Sequence, residues 1–120
     1  MMLSFKIHFY SFETVSTRDL FFIDDVDEII FFNTFKMIER KILNGIKINL
    51  SETIWYYCGF IARELAFGKT NSEIQTDLPK QITNQMVMIG VAEIIQKLVI
   101  SLKHDKGSMD LYFVLEQPIY

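Results

Sequence analysis

Apolar and polar positions alternate at the start of the chain. Over residues 4–12, Phe5, Ile7 and Phe9 share one side while Lys6, His8 and Tyr10 share the other. A period of two in aromatic and β-branched residues predicts a half-buried strand. Residues 19–23 form a short apolar piece, read as a second strand or an early helical turn. From Asp25 the period becomes helical. Asp25 and Glu28 have capping-box spacing, and Asp24, Asp25, Asp27 and Glu28 suit the positive end of a helix dipole. The predicted helix runs to Leu43 and stops at Asn44-Gly45. It carries two apolar stripes, Val26/Ile30/Met37 and, nearly opposite, Phe31/Phe35/Ile38/Ile42. A helix that is apolar on two faces is expected to lie between layers, as a central helix.

Residues 46–50 read as an extended link. Ser51 is the expected cap of a second helix, with Leu50 packing on Trp55 as a staple and the helix ending at Gly68. Ile54, Cys58, Ile61 and Leu65 form its core stripe; Tyr56, Phe60 and Phe67 form another. Residues 70–78 are polar, with one helical turn at 72–76. A third long helix is predicted from Asp77-Leu78-Pro79 to Leu102, with Val87, Val91, Ile94, Ile95, Leu98 and Leu102 as its stripe and Gly90 and Ala92 permitting a close crossing. A turn at 103–107 and a strand at 110–115 end the pattern. The N-terminal strand needs a partner, and the C-terminal one is the natural choice. The expected class is therefore α+β: about three main helices packed on a small sheet that includes the N- and C-terminal strands, in a single domain over residues 1–120.

Composition narrows the function classes. One cysteine in 120 residues cannot form an intrachain disulfide, and no export signal is visible at the N-terminus, so a cytoplasmic protein is expected. The apolar run 86–102 is interrupted by Glu93, Gln96 and Lys97, so it reads as a buried helix rather than a membrane span. The net charge of -3 conceals an asymmetry. Residues 13–28 hold six carboxylates (Glu13, Asp19, Asp24, Asp25, Asp27, Glu28) against Arg18 alone, a local -5. With scattered cations and no basic face, direct nucleic-acid binding is not expected.

Candidate chemistry is sparse. Cys58 lies mid-helix, far from the base or helix N-terminus that would activate a thiol, so a buried structural thiol is expected. His8 and His104 are the only histidines, lack zinc-ligand spacing, and could meet only through pairing of the terminal strands. The Asp24–Glu28 stretch lacks the mid-loop glycine of a calcium loop. No phosphate-cradling loop or nucleophile elbow occurs. No catalytic residue, cofactor or metal is assigned, and no enzyme activity is expected.

Two features are candidate partner-binding surfaces. One is the acidic set Glu13, Asp19, Asp24, Asp25, Asp27 and Glu28; the other is the aromatic stripe Tyr56, Phe60 and Phe67. The chain is rich in Ile and Phe (17 and 11) with only three Ala, short, acidic and free of motifs. In this general character, with no motif aligned, it resembles the small cytoplasmic immunity proteins of contact-dependent growth inhibition and related bacterial toxin systems. The resemblance implies a cognate protein toxin domain, for instance a nuclease with a basic cleft, bound and neutralised without catalysis. The alternatives are a phage-type inhibitor of a host nuclease (anti-CRISPR or anti-restriction) and a small homo-oligomeric ligand-binding protein or enzyme. A homodimer is compatible with the aromatic stripe.

Overall fold

The computed structural model describes the backbone of residues 3–9, 16–23, 25–95, 98–104 and 107–112, and the side chains of residues 31–95 and of Ser101. Strands β1 (Leu3–Phe9) and β2 (Ser16–Ile23) precede helices α1 (Asp25–Leu43), α2 (Leu50–Ala66) and α3 (Asn71–Asp77). Short 3-10 turns at Leu78–Lys80 and Asn84–Met86 lead to α4 (Val91–Ile95), then β3 (Leu98–His104) and β4 (Gly107–Tyr112). The strand backbones pair antiparallel in the order β2-β1-β3-β4. The helices approach the edge strands, α1 near β2 and α3 near β4.

The expected class needs correction. Residues 31–95, whose side chains form the described core, are mostly helical. Ile48 and Val87 form an isolated parallel bridge among them. The core closes helix on helix, with residues from α1, α2, α3 and α4 and from the turns and links between them. This body is not three helices laid on a sheet.

Local chemistry explains the helix ends. After α1, Gly45 adopts φ +73°, its N–H donates to the Ile42 carbonyl, and Ile46 N–H donates to the Lys41 carbonyl. After α2, Gly68 adopts φ +82°, with Gly68 N–H donating to Leu65 O and Lys69 N–H to Glu64 O. Both are Schellman closures, and both need a left-handed residue that only glycine adopts without strain. The start of α2 differs from expectation. Asn49, not Ser51, is the cap: Glu52 N–H donates to Asn49 Oδ1 (2.8 Å) and Asn49 N–H donates to Glu52 Oε1 (3.1 Å). The reciprocal bond decides the position. Three residues after Asn49 stands Glu52, which can reach back; three after Ser51 stands Ile54, which cannot. Leu50 is thus the first helical residue rather than a staple ahead of the cap. Thr70 and Glu73 make the same box at α3.

The central helix is α2 rather than α1. Its residues 56–62 are buried without interruption. Among the described side chains of α1, only the Phe31/Phe35/Ile38 stripe is buried, with Ile42 beside it, and Met37 of the opposite stripe is 62% exposed. The α1–α2 contact is aromatic. Phe31 meets Trp55 with ring centroids 5.1 Å apart, and Phe35 meets Tyr56 at 5.2 Å. Gly59 lies directly under the Phe35 ring. Arg63 stands over that ring (5.0 Å to its centroid) and pairs with Glu39 at 3.2 Å. Lys41 closes the far end on Glu52 at 2.6 Å. Partial burial pushes the Glu52 carboxyl up, but the Lys41 hydrogen bond, the Asn49 N–H and the Lys41 charge outweigh it and hold it below its ordinary value.

The third long helix does not form. Pro79 starts a 3-10 turn, Thr83 and Val87 are extended, and Gly90 at φ +90° makes a turn in which Val91 N–H donates to Met88 O. The apolar residues Leu78, Ile82, Val87, Val91 and Ile95 still face inward. They do so from successive turns and an extended segment instead of one helical face.

Candidate functional site

Of the expected acidic surface, Glu13 and Asp24 lie outside the described residues. Asp19 is on β2, opposite Lys6 of β1 in the strand register. Asp25, Asp27 and Glu28 occupy the start of α1, and their side chains also lie outside the described ones. A helix backbone from Asp25 onward leaves no loop there for a calcium site.

The aromatic stripe is corrected. Tyr56 and Phe60 are core residues, at 8% and 3% exposure, because α1 packs over that side of α2. Phe67, at 72% exposure beyond the last turn of α2, is the only one of the three on the surface. A stripe at helical spacing cannot show which face a neighbouring helix covers, and here helices cover both.

Other exposed apolar side chains were not legible as such. Met37 and Leu43 stand out from α1, with Leu43 at 80% exposure, and Ile46 follows the helix. Met88 and the fully exposed Ile89 form the turn closed by Gly90, with Ile94 on α4. Ile89 precedes a glycine, a turn signal that the expected continuous helix concealed.

The residues with nucleophilic or ligating potential are kept apart. Cys58 is fully buried, and burial alone pushes its thiol far above the ordinary range. Alkylation of Cys58 is therefore expected only as fast as the fold opens. Iodoacetamide labelling with and without urea checks this; rapid modification of the native protein would refute the burial. Tyr57 and Tyr56 are likewise held protonated, chiefly by burial. In the strand register His8 faces Val99 while His104 faces Gly107, so the pairing of terminal strands does not bring the two histidines together. Among the described residues, no group of three His, Cys, Asp or Glu could hold a metal ion. None of their helices is long and apolar enough to cross a membrane.

No protein-family model matches the chain. It is similar to urease subunit gamma of a Picosynechococcus species, 28% identical over 82 residues that span 68% of this chain and 82% of that protein. This corrects the resemblance to toxin-immunity proteins: the likeness found is to a subunit of an enzyme.

Proposed function

We propose that this chain is a non-catalytic subunit of a urease-type enzyme assembly, working in the cytoplasm. One observation carries the reading: the similarity to urease subunit gamma extends over most of that protein's length, as expected for a whole folded unit rather than a shared motif. The chemistry of the described residues agrees with a supporting role. Its single thiol is buried, and its ion pairs join helix to helix or stabilise a helix start rather than converging on a cleft. The exposed apolar side chains at Leu43, Phe67 and Ile89 suit a protein that buries surface against larger partners. Neutralisation of a toxin is not carried forward, since the resemblance that suggested it has been replaced.

Co-expression with the remaining urease subunits from the same genome tests the proposal. The expected result is a stoichiometric complex on size exclusion, with urease activity in the complex and none in the isolated chain. Failure to co-purify overturns the subunit reading. Activity of the chain alone overturns the non-catalytic one.

A further inference from the structure

Helix α1 ends at Leu43 and is followed by Asn44-Gly45, a pair with a chemistry of its own besides that of a helix stop. The side-chain amide carbon of an asparagine lies within reach of the next residue's backbone nitrogen, and closure between them gives a five-membered ring. A side chain on that next residue obstructs the approach, and glycine has none. Of the five asparagines in the chain, four precede Thr34, Leu50, Ser72 and Gln85; Asn44 alone precedes glycine. Asn44 is exposed, and its side chain makes no hydrogen bond among the described residues. Nothing stands within 4 Å of where a Cβ on Gly45 would lie, so the pair is open to solvent. The Gly45 nitrogen, by contrast, is held. Gly45 N–H donates to Ile42 O (3.0 Å), Ile46 N–H donates to Lys41 O (2.9 Å), and Asn44 N–H is shared between the carbonyls of Arg40 and Lys41. A hydrogen-bonded N–H is harder to deprotonate, and the closure fixes the peptide unit that must turn for attack.

We propose that Asn44 is a site of spontaneous deamidation in the native protein, gated by opening of the turn that ends α1. Helix ends open far more readily than cores, so the gate slows the reaction without shutting it. In the open turn the Gly45 nitrogen gives its proton to hydroxide and attacks Asn44 Cγ. The bond from Cγ to that nitrogen forms, the Cγ–Nδ2 bond breaks, and ammonia leaves with a proton taken from water, which restores the hydroxide. Water then opens the cyclic imide at one of its two carbonyls. Opening at Cγ gives aspartate; opening at the main-chain carbonyl gives isoaspartate, with the chain now running through the side chain. The sum converts amide and water to carboxylate and ammonium, with no change of oxidation state. Either product sets a carboxylate one helical turn beyond Arg40, which has no ion-pair partner among the described residues. Isoaspartate also adds a main-chain atom inside the closure and breaks its register. This inference is independent of the enzyme-subunit reading and concerns the chain by itself.

Timed incubation of the full chain in mildly alkaline buffer, native and in concentrated urea, tests it. Mass spectrometry of the tryptic peptide 42–47 reads the conversion, and enzymatic methylation of isoaspartate identifies the isomer. In urea Asn44 is expected to convert before the other four asparagines. In the native chain it is again expected to convert first, but slower by about tenfold or more, the factor being set by how rarely the turn opens. Ile46→Pro removes one closing amide and keeps the Asn-Gly pair, so its native rate is expected to rise several-fold toward the rate in urea. Far-UV circular dichroism establishes that this variant is folded; if it is not, the native and urea rates of the wild-type chain decide. A native chain that keeps Asn44 intact while the chain in urea converts it overturns the proposal. So do equal rates in the two states, earlier conversion at another asparagine, or a folded Ile46→Pro chain no faster than wild type.

Discussion

Replacing Gly59 by alanine is expected to destabilise the fold by about 2 kcal/mol, although alanine is the better helix former. In a free helix interior the exchange would gain about 1 kcal/mol. Here a Cβ on residue 59 would lie 2.9 Å from Phe35 Cβ and still closer to the Phe35 ring carbons. The Phe35 Cβ is fixed to the α1 backbone and cannot swing away. The ring is enclosed by Tyr56 and Arg63, so it has no free rotamer to adopt. Relief therefore requires α1 to move off α2, against the Phe31–Trp55 contact and the Lys41–Glu52 pair. Overpacking of this kind costs about 1–3 kcal/mol, and the depth of the overlap places it at the upper end before the propensity gain is subtracted. Thermal melts should show a fall of about 8 °C for a chain of this size. Adding Phe35→Leu should recover part of the loss, giving a favourable coupling of about 1 kcal/mol in a double-mutant cycle. A Gly59→Ala protein as stable as wild type would mean that α1 and α2 do not cross there.

That crossing also marks how far the sequence could be read. The ends of α1 and α2 were legible because Asn44-Gly45 and Gly68 are local signals with a local mechanism. The apolar stripes were legible too, but not the neighbour each faces. Tyr56 and Phe60 read as an interface candidate because their burial depends on α1, a partner that periodicity within α2 cannot reveal. The failure over residues 79–102 has a different cause. Apolar residues at 87, 91 and 95 satisfy a helical spacing, and a turn followed by a short helix around one core satisfies it equally well. Pro79, Thr83 and Gly90 were the dissenting signals, and each stands where the backbone leaves the α-helix. The cap of α2 falls two residues before Ser51 because the reciprocal bond needs a side chain that can accept three positions on, which the cap preference of serine does not report. Composition suggested a resemblance to toxin-immunity proteins, whereas the similarity found is to urease subunit gamma. Composition reports the general character of a chain and aligns no residues.

The segment that replaces the third helix can be tested through the residue that holds it. Ile48 is completely buried, its N–H donates to Met86 O (3.0 Å), and its carbonyl accepts from Met88 N–H (2.9 Å). Those two bonds hold the extended Val87, just after the 3-10 turn, beside the link between α1 and α2, and the Ile48 side chain is buried in the core. Ile48→Ala leaves the backbone bonds available and removes only the side chain, so its cost is that of a cavity. Full burial of an isoleucine gives about 3 kcal/mol. Two residues earlier, Ile46 is half exposed, and Ile46→Ala is expected to change stability by less than about 0.5 kcal/mol. Urea denaturation of the two variants measures the contrast. Hydrogen exchange adds its location: in Ile48→Ala the Met88 amide should lose more protection than the amides of α2, because the bridge opens before the helix does. A continuous helix through residues 79–102 would leave Ile48 without this partner. Equal effects of the two substitutions, or a Met88 amide indifferent to Ile48→Ala, would return the segment to that alternative.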